Sequence, residues 1–176
     1  MPALTIRPVA SHDIAAITRI YTYAVLHGTA SFEIEPPDQA EMRRRQDELI
    51  DGGYPYLVAE ADGVIGYAYA GRYRARLAYH WSVEDSVYIA PEAQRRGVGR
   101  LLLTRLIEEA EQRGFRQMIA VIGDSRQLPS IELHRVLGFR HVGTLEAVGF
   151  KHGAWLDSVL MQRALGTGAG AAPTSL

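Results

Sequence analysis

Between Trp81 and Arg113 the apolar period of the chain changes once, from two to about 3.6, and this switch constrains the fold more than any other feature. Trp81 to Ala90 alternates as a strand and stops at Pro91. Gly97 to Arg113 carries an amphipathic helical stripe, with Gly114 placed to end it. The other runs fit around this unit. Leu4 to Pro8 reads as a first strand, and Asp13 as the cap of a helix bearing Ile14, Ile17, Ile20, Tyr21, Ala24 and Val25. After Glu35-Pro36-Pro37, a charged helix is predicted up to Asp51-Gly52-Gly53. Tyr56 to Glu60 and Val64 to Ala70 form a hairpin about Ala61-Asp62-Gly63. A short buried strand, Met118 to Ile122, precedes a helix from Ser130 to Leu137, and two strands follow near 141–146 and 157–163. The order β-α-α-β-β-β-α-β-α-β-β predicts an α/β fold: a mixed sheet flanked by helices.

The 176 residues suffice for one domain with a proper core, expected over residues 1–165. Residues 166–176 (GTGAGAAPTSL) are small and nearly uncharged, so a disordered tail is expected there. A net charge of −1 gives no general electrostatic case for nucleic acid or an anionic membrane. No apolar run approaches the roughly 18 residues of a membrane span, and Met1 to Val9 lacks the regions of a signal peptide. A soluble, cytoplasmic protein is the expectation. With no cysteine in the chain, disulfides, thiolate zinc sites and an acyl-cysteine intermediate are all excluded.

The segment Gln94-Arg95-Arg96-Gly97-Val98-Gly99-Arg100 sits where a strand gives way to a helix. A helix amino terminus offers unpaired N–H groups and partial positive charge, and three arginines oppose that dipole unless an anion docks there. A Walker A loop would need Gly-Lys-Ser/Thr, and a GxGxxG loop would need glycine at Leu102. By itself the heptapeptide also reads as a solvated arginine turn. On the preceding strand, Glu84, Ser86 and Tyr88 share one face, and Val83, Asp85, Val87 and Ile89 the other. A carboxylate on a half-buried strand has its pKa raised by desolvation, which suits a base, but the same row also fits an ordinary solvent face. Arg74 and Arg76, two apart in Arg72-Tyr73-Arg74-Ala75-Arg76, suit a carboxylate or phosphinate; equally, they fit a chain in which Lys151 is the only lysine. His134 falls near the apolar stripe of its helix, as a core histidine or as a catalyst. The histidines show no metal-ligand spacing, so no metal is expected.

Taken together these stretches resemble the GNAT acetyltransferase superfamily, and more closely its phosphinothricin and methionine sulfoximine acetyltransferase branch. The similarity runs through Ala68-Tyr69-Ala70-Gly71, Ala78-Tyr79-His80-Trp81, Glu84 to Ile89, Ala120 to Gly123, Leu133 to Phe139 and Val148 to Asp157. The resemblance implies a mainly antiparallel mixed sheet and direct transfer of acetyl from acetyl-CoA to the primary amine of a small amino-acid-like molecule. It implies Glu84 as general base and His134 as the acid for the departing thiolate. Backbone groups of Val87, Tyr88 and Ile89 would hold the pantetheine arm, and Arg95, Arg96, Gly97, Val98, Gly99 and Arg100 the pyrophosphate. Phe32, Arg74, Ala75, Arg76, Tyr79, Glu84, Asp85 and Ser86 would form the substrate side. Close relatives carry asparagine seven residues before the histidine; Gln127 stands there and, with Ser130, is a cofactor-site candidate, Ser130 alternatively a helix cap. The branch also implies a homodimer with residues 150–157 near the contact. Two other activities fit the same fold: amino-terminal acetylation of peptides, and acyl-CoA sensing without turnover.

Overall fold

The computed structural model describes residues 4–173. Its elements follow the expected order: β1 (Thr5–Pro8), α1 (Ile14–His27), α2 (Gln39–Asp51), β2 (Tyr56–Ala61), β3 (Gly63–Arg72), β4 (Ser82–Ile89), α3 (Val98–Gln112), β5 (Gln117–Gly123), α4 (Leu128–Val136), β6 (Arg140–Lys151) and β7 (Ala154–Ala164). Seven strands form one sheet in the order β1-β2-β3-β4-β5-β7-β6. Every neighbouring pair is antiparallel except β4 and β5, which are parallel. A parallel pair needs a crossover, and α3 supplies it.

Strand alternation sorts the core into two layers. Tyr67, Tyr69 and Tyr88 point to the side of α1 and α2, where Tyr21 meets Tyr88 edge-on at 5.0 Å. The opposite side takes α3, whose Leu102, Leu103 and Leu106 are fully buried, and α4, whose His134 reaches β4. At about 25 cal/mol per Å² of apolar surface, these buried side chains contribute roughly 1.5–3 kcal/mol each.

Two local expectations are corrected. Asp13 stands at the start of α1, but its carboxylate does not cap the helix. Arg7 takes both of its oxygens, at 2.7 and 2.8 Å, and the Ala10 N–H donates to it at 2.8 Å. These bonds hold the Asp13 carboxyl below its ordinary range, although burial opposes them. Ser130 is not a helix cap either: it lies inside the first turn of α4, and Gln127 precedes the helix without a side-chain cap. The low-complexity segment begins with order. Leu165 is buried, its N–H donates to Arg116 O at 3.0 Å, and the Arg116 guanidinium reaches the Thr167 hydroxyl. Backbone hydrogen bonds hold residues 165–170 where apolar burial alone would not. Residues 174–176 lie outside the described residues.

Candidate active site

The site begins where two strands part. The β4–β5 ladder runs from Ser82–Gln117 to Asp85–Ala120 and stops. Beyond it, β4 stays with β3 as far as Ile89, while β5 stays with β7 as far as Gly123. The backbone groups of Ser86 to Ile89 that face β5 therefore lack a strand partner, and a buried N–H or C=O seeks one. Between the strands opens a cleft lined by Ser86, Val87, Tyr88, Gly123, Ser130 and His134 among others.

Past Ile89, at the end of β4, the chain turns into the start of α3. Gly97 precedes this helix at φ +80°, a left-handed conformation that glycine adopts without strain, and no side chain caps the first turn. Arg95 is also left-handed, at φ +59°. Arg95, Arg96 and Arg100 are exposed and form no ion pair among the described residues, whereas Val98 is buried. A Cβ on Gly99 would lie 3.4 Å from Leu133 and 3.8 Å from Ile89. Glycine thus keeps the space between the start of α3, the end of β4 and α4 free of a side chain, and the open helix start suits an anion.

Glu84 and Asp85 take opposite faces of the sheet. Glu84 looks toward α1 and α2, opposite Gly71, and accepts no hydrogen bond among the described residues. Burial, and then the charge of Asp85, push its carboxyl above the ordinary glutamate range, with Arg74 pulling the other way. Asp85 is buried on the α4 side, where its Oδ2 lies 2.9 Å from His134 Nε2. His134 Nδ1 lies 2.7 Å from the Ser130 carbonyl. Burial presses the imidazole pKa down, but the Asp85 charge and hydrogen bond and the Ser130 carbonyl outweigh it, so His134 titrates above its ordinary value.

The arginine loop lies at the surface. Arg74, Ala75, Arg76 and Tyr79 are all exposed; Arg74 sits 5.0 Å over the Tyr73 ring, which meets Tyr79 edge-on at 5.7 Å. Phe32 stands on the loop after α1, with its ring wedged between Gly123 and Gly149.

Against this geometry, the model of the acetyltransferase (GNAT) domain matches residues 6–160. The chain belongs to the GNAT acetyltransferase family. It is 54% identical to the phosphinothricin N-acetyltransferase of Alcaligenes faecalis, over 94% of this chain and 85% of that protein. It is 42% identical to the L-methionine sulfoximine/L-methionine sulfone acetyltransferase of Salmonella typhimurium, over 90% of this chain and 93% of that one. A solved GNAT superfamily phosphinothricin acetyltransferase from Sinorhizobium meliloti, in complex with AcCoA, matches with a TM-score of 0.95 at 48% identity, covering 98% of this chain and 94% of that one.

In this GNAT domain the residues singled out from sequence fall into three groups. Ser86, Val87, Tyr88, Asp85, Ser130 and His134 meet at the cleft. Residues 95–100 lie at the α3 start, the arginine loop lies at the surface, and Phe32 packs against Gly123 at the edge of the cleft. Gln127 turns its amide to the Thr29 hydroxyl at 2.9 Å, tying α4 to the Phe32 loop. The residues that anchor this loop were missed by sequence reasoning. Asp124 accepts from Thr29 at 2.9 Å and is held at a pKa of about 2, chiefly by hydrogen bonds from Arg126. Lys151 is buried and donates to the Ser31 carbonyl at 2.7 Å. Its being the sole lysine in the chain was the one available signal.

Proposed function

We propose that this chain is an acetyl-CoA-dependent N-acetyltransferase acting on the primary amine of a small anionic amino-acid analogue of the phosphinothricin and methionine sulfoximine class. The parting of β4 and β5 beyond Asp85–Ala120 carries the reading, because it joins unpaired strand backbone to the uncapped start of α3. The relatives' names support the substrate class.

Acetyl-CoA supplies the activated thioester. The α3 amino terminus with Arg95, Arg96 and Arg100 would hold its pyrophosphate, and the free backbone of Val87 to Ile89 its arm and carbonyl. Glu84, with its raised pKa, takes the proton that makes the ammonium a nucleophile. His134 returns a proton to the sulfur. Arg74 and Arg76, exposed and without carboxylate partners among the described residues, suit the acceptor's anionic group. No cysteine exists to carry an acyl intermediate, which agrees with direct transfer in a ternary complex.

No helix among the described residues is long and apolar enough to cross a membrane, and we place the enzyme in the cytoplasm. It pairs with a second copy along the exposed apolar edge of β6. The test is thiol release from acetyl-CoA with phosphinothricin, methionine sulfoximine, methionine sulfone, ordinary amino acids and short peptides. Turnover on the analogues is expected. Turnover on peptides alone would reassign the acceptor, and acetyl-CoA binding without any turnover would make the protein a sensor.

A further inference from the structure

We propose that Asp85 is a positioning residue that holds one shared proton on His134 in the cleft, so that His134 enters the reaction as an acid. This rests on the acetyl-transfer reading above.

His134 Nδ1 lies 2.7 Å from a carbonyl oxygen, which can only accept, so Nδ1 carries a hydrogen. The neutral imidazole with its hydrogen on Nδ1 has a lone pair on Nε2. That lone pair would face Asp85 Oδ2 at 2.9 Å, and two acceptors at this distance repel. The contact is favourable only with a proton between Nε2 and Oδ2. The His134 and Asp85 side chains are only 5% and 2% exposed, so the contact itself stands largely out of solvent, beside the cleft that both residues line. The second Asp85 oxygen, Oδ1, is buried without a hydrogen-bond partner, an arrangement that ordinary packing avoids.

The surroundings leave Asp85 as the deciding charge. From α4, His134 meets only the Ser130 carbonyl, while Arg135 is exposed and paired with Glu132. From the start of the β6 segment it meets the Phe139 ring, edge-on at 4.9 Å. From β7, Arg163 bonds the Leu137 carbonyl at the helix end. Glu84 lies across the sheet, coupled to Asp85 rather than to the imidazole. In the transfer, the Nε2–H bond breaks and an S–H bond forms as the thioester C–S bond is cleaved, the hydrogen leaving the Asp85 contact for the cleft that both side chains line. The imidazole is left neutral, with its remaining hydrogen against Ser130. Facing the Asp85 carboxylate, it then recovers a proton from solvent through the cleft.

The experiment compares wild type with Asp85→Asn, which is isosteric and whose amide donates to an Nε2 lone pair. Imidazole nitrogen shifts are read by NMR, with His134 assigned from a His134→Gln sample. In wild type, both nitrogens should stay protonated above pH 6.5, the ordinary histidine value. In Asp85→Asn, His134 should become the neutral Nδ1–H form at neutral pH. The alkaline limb of kcat should move to lower pH, with kcat at pH 8 down about tenfold or more and the KM for acetyl-CoA within about twofold. A neutral His134 in wild type at pH 7, an unchanged titration in the variant, or a defect confined to KM would overturn the proposal. Asp85→Ser serves as a second variant if Asp85→Asn does not fold, and the wild-type titration decides without either. Because the NMR arm needs no substrate, failure of acetyl transfer itself would appear separately, as a wild type without thiol release.

Discussion

At the scale of single residues, adjacent carboxylates acquire different chemistry from the side of the sheet that each one faces. Glu84 carries a raised pKa because burial and the Asp85 charge both disfavour its ionised form. This predicts the acid limb of kcat/KM above the ordinary glutamate range, and Glu84→Gln should lower kcat/KM by about 10²-fold or more. Near-normal turnover would remove Glu84 from the role of base. The same shift fixes a stability effect. A carboxyl whose folded pKa lies above its unfolded value favours the fold below the unfolded pKa, and that contribution is lost as pH rises through the folded one. Glu84→Gln should therefore raise Tm at pH 7, with the gain vanishing as the pH falls below about 4.5. Thermal melts at both pH values check this, and a lower Tm at pH 7 would show that Glu84 is held by interactions favouring its charge.

At the scale of elements, the order and type of all eleven main strands and helices were legible because glycine, proline or polar turns bound each periodic run. The departure point of β4 from β5 left no mark in the residue pattern, since both strands continue past it and only their partners diverge; only the resemblance, which gives the backbone of Val87 to Ile89 to the pantetheine arm, pointed there. The anchors of the Phe32 loop were equally hidden: Thr29 meets Asp124 across 95 residues, and Lys151 meets Ser31 across 120. No local pattern encodes such pairs. Glu84 and His134 stood out by residue type and resemblance, but the Asp85–His134 contact spans 49 residues and needed the fold. The loop also gives a prediction that separates packing from specificity. A Cβ at Gly123 would lie 2.5 Å from the Thr29 carbonyl oxygen and 3.0 Å from that of Ala30. Both are backbone atoms, so Gly123→Ala should cost about 1–3 kcal/mol in chemical denaturation. At Gly149 the nearest atoms, from 2.5 Å, all belong to the partly exposed Phe32 ring, which can swing away. Gly149→Ala should keep most of its stability yet raise the acceptor KM severalfold, with the acetyl-CoA KM unchanged. Equal destabilisation by the two variants would show that the ring is as fixed as the backbone.

At the scale of the whole molecule, the two edges of the sheet are finished differently. The β1 edge is four residues long, and its Arg7 side chain is engaged by Asp13 and Glu60. The β6 edge is twelve residues long and exposes Val142, Leu145, Val148 and Phe150, with Trp155 beside them on β7 at 67% exposure. Phe150 and Trp155 meet edge-on at 5.2 Å, a ready-made aromatic anchor. A long apolar edge left bare invites association, and a second copy of the same edge is the simplest cover under two-fold symmetry. Sedimentation velocity should give about twice the 19.5 kDa chain mass for wild type, and the chain mass for a Phe150→Glu, Trp155→Glu double variant. Because both side chains already face solvent in the single chain, the monomeric variant should retain its circular dichroism. The edge is also coupled to the site, since Gly149 on the same strand touches Phe32. Losing the partner should loosen that wall and raise the acceptor KM, while acetyl-CoA affinity, which we propose is set at the start of α3, stays constant. A wild type that sediments as one chain at all concentrations would sink the dimer. A dimer whose dissociation leaves the acceptor KM untouched would confine β6 to assembly and leave Phe32 positioned by Lys151, Thr29 and Asp124 within one chain.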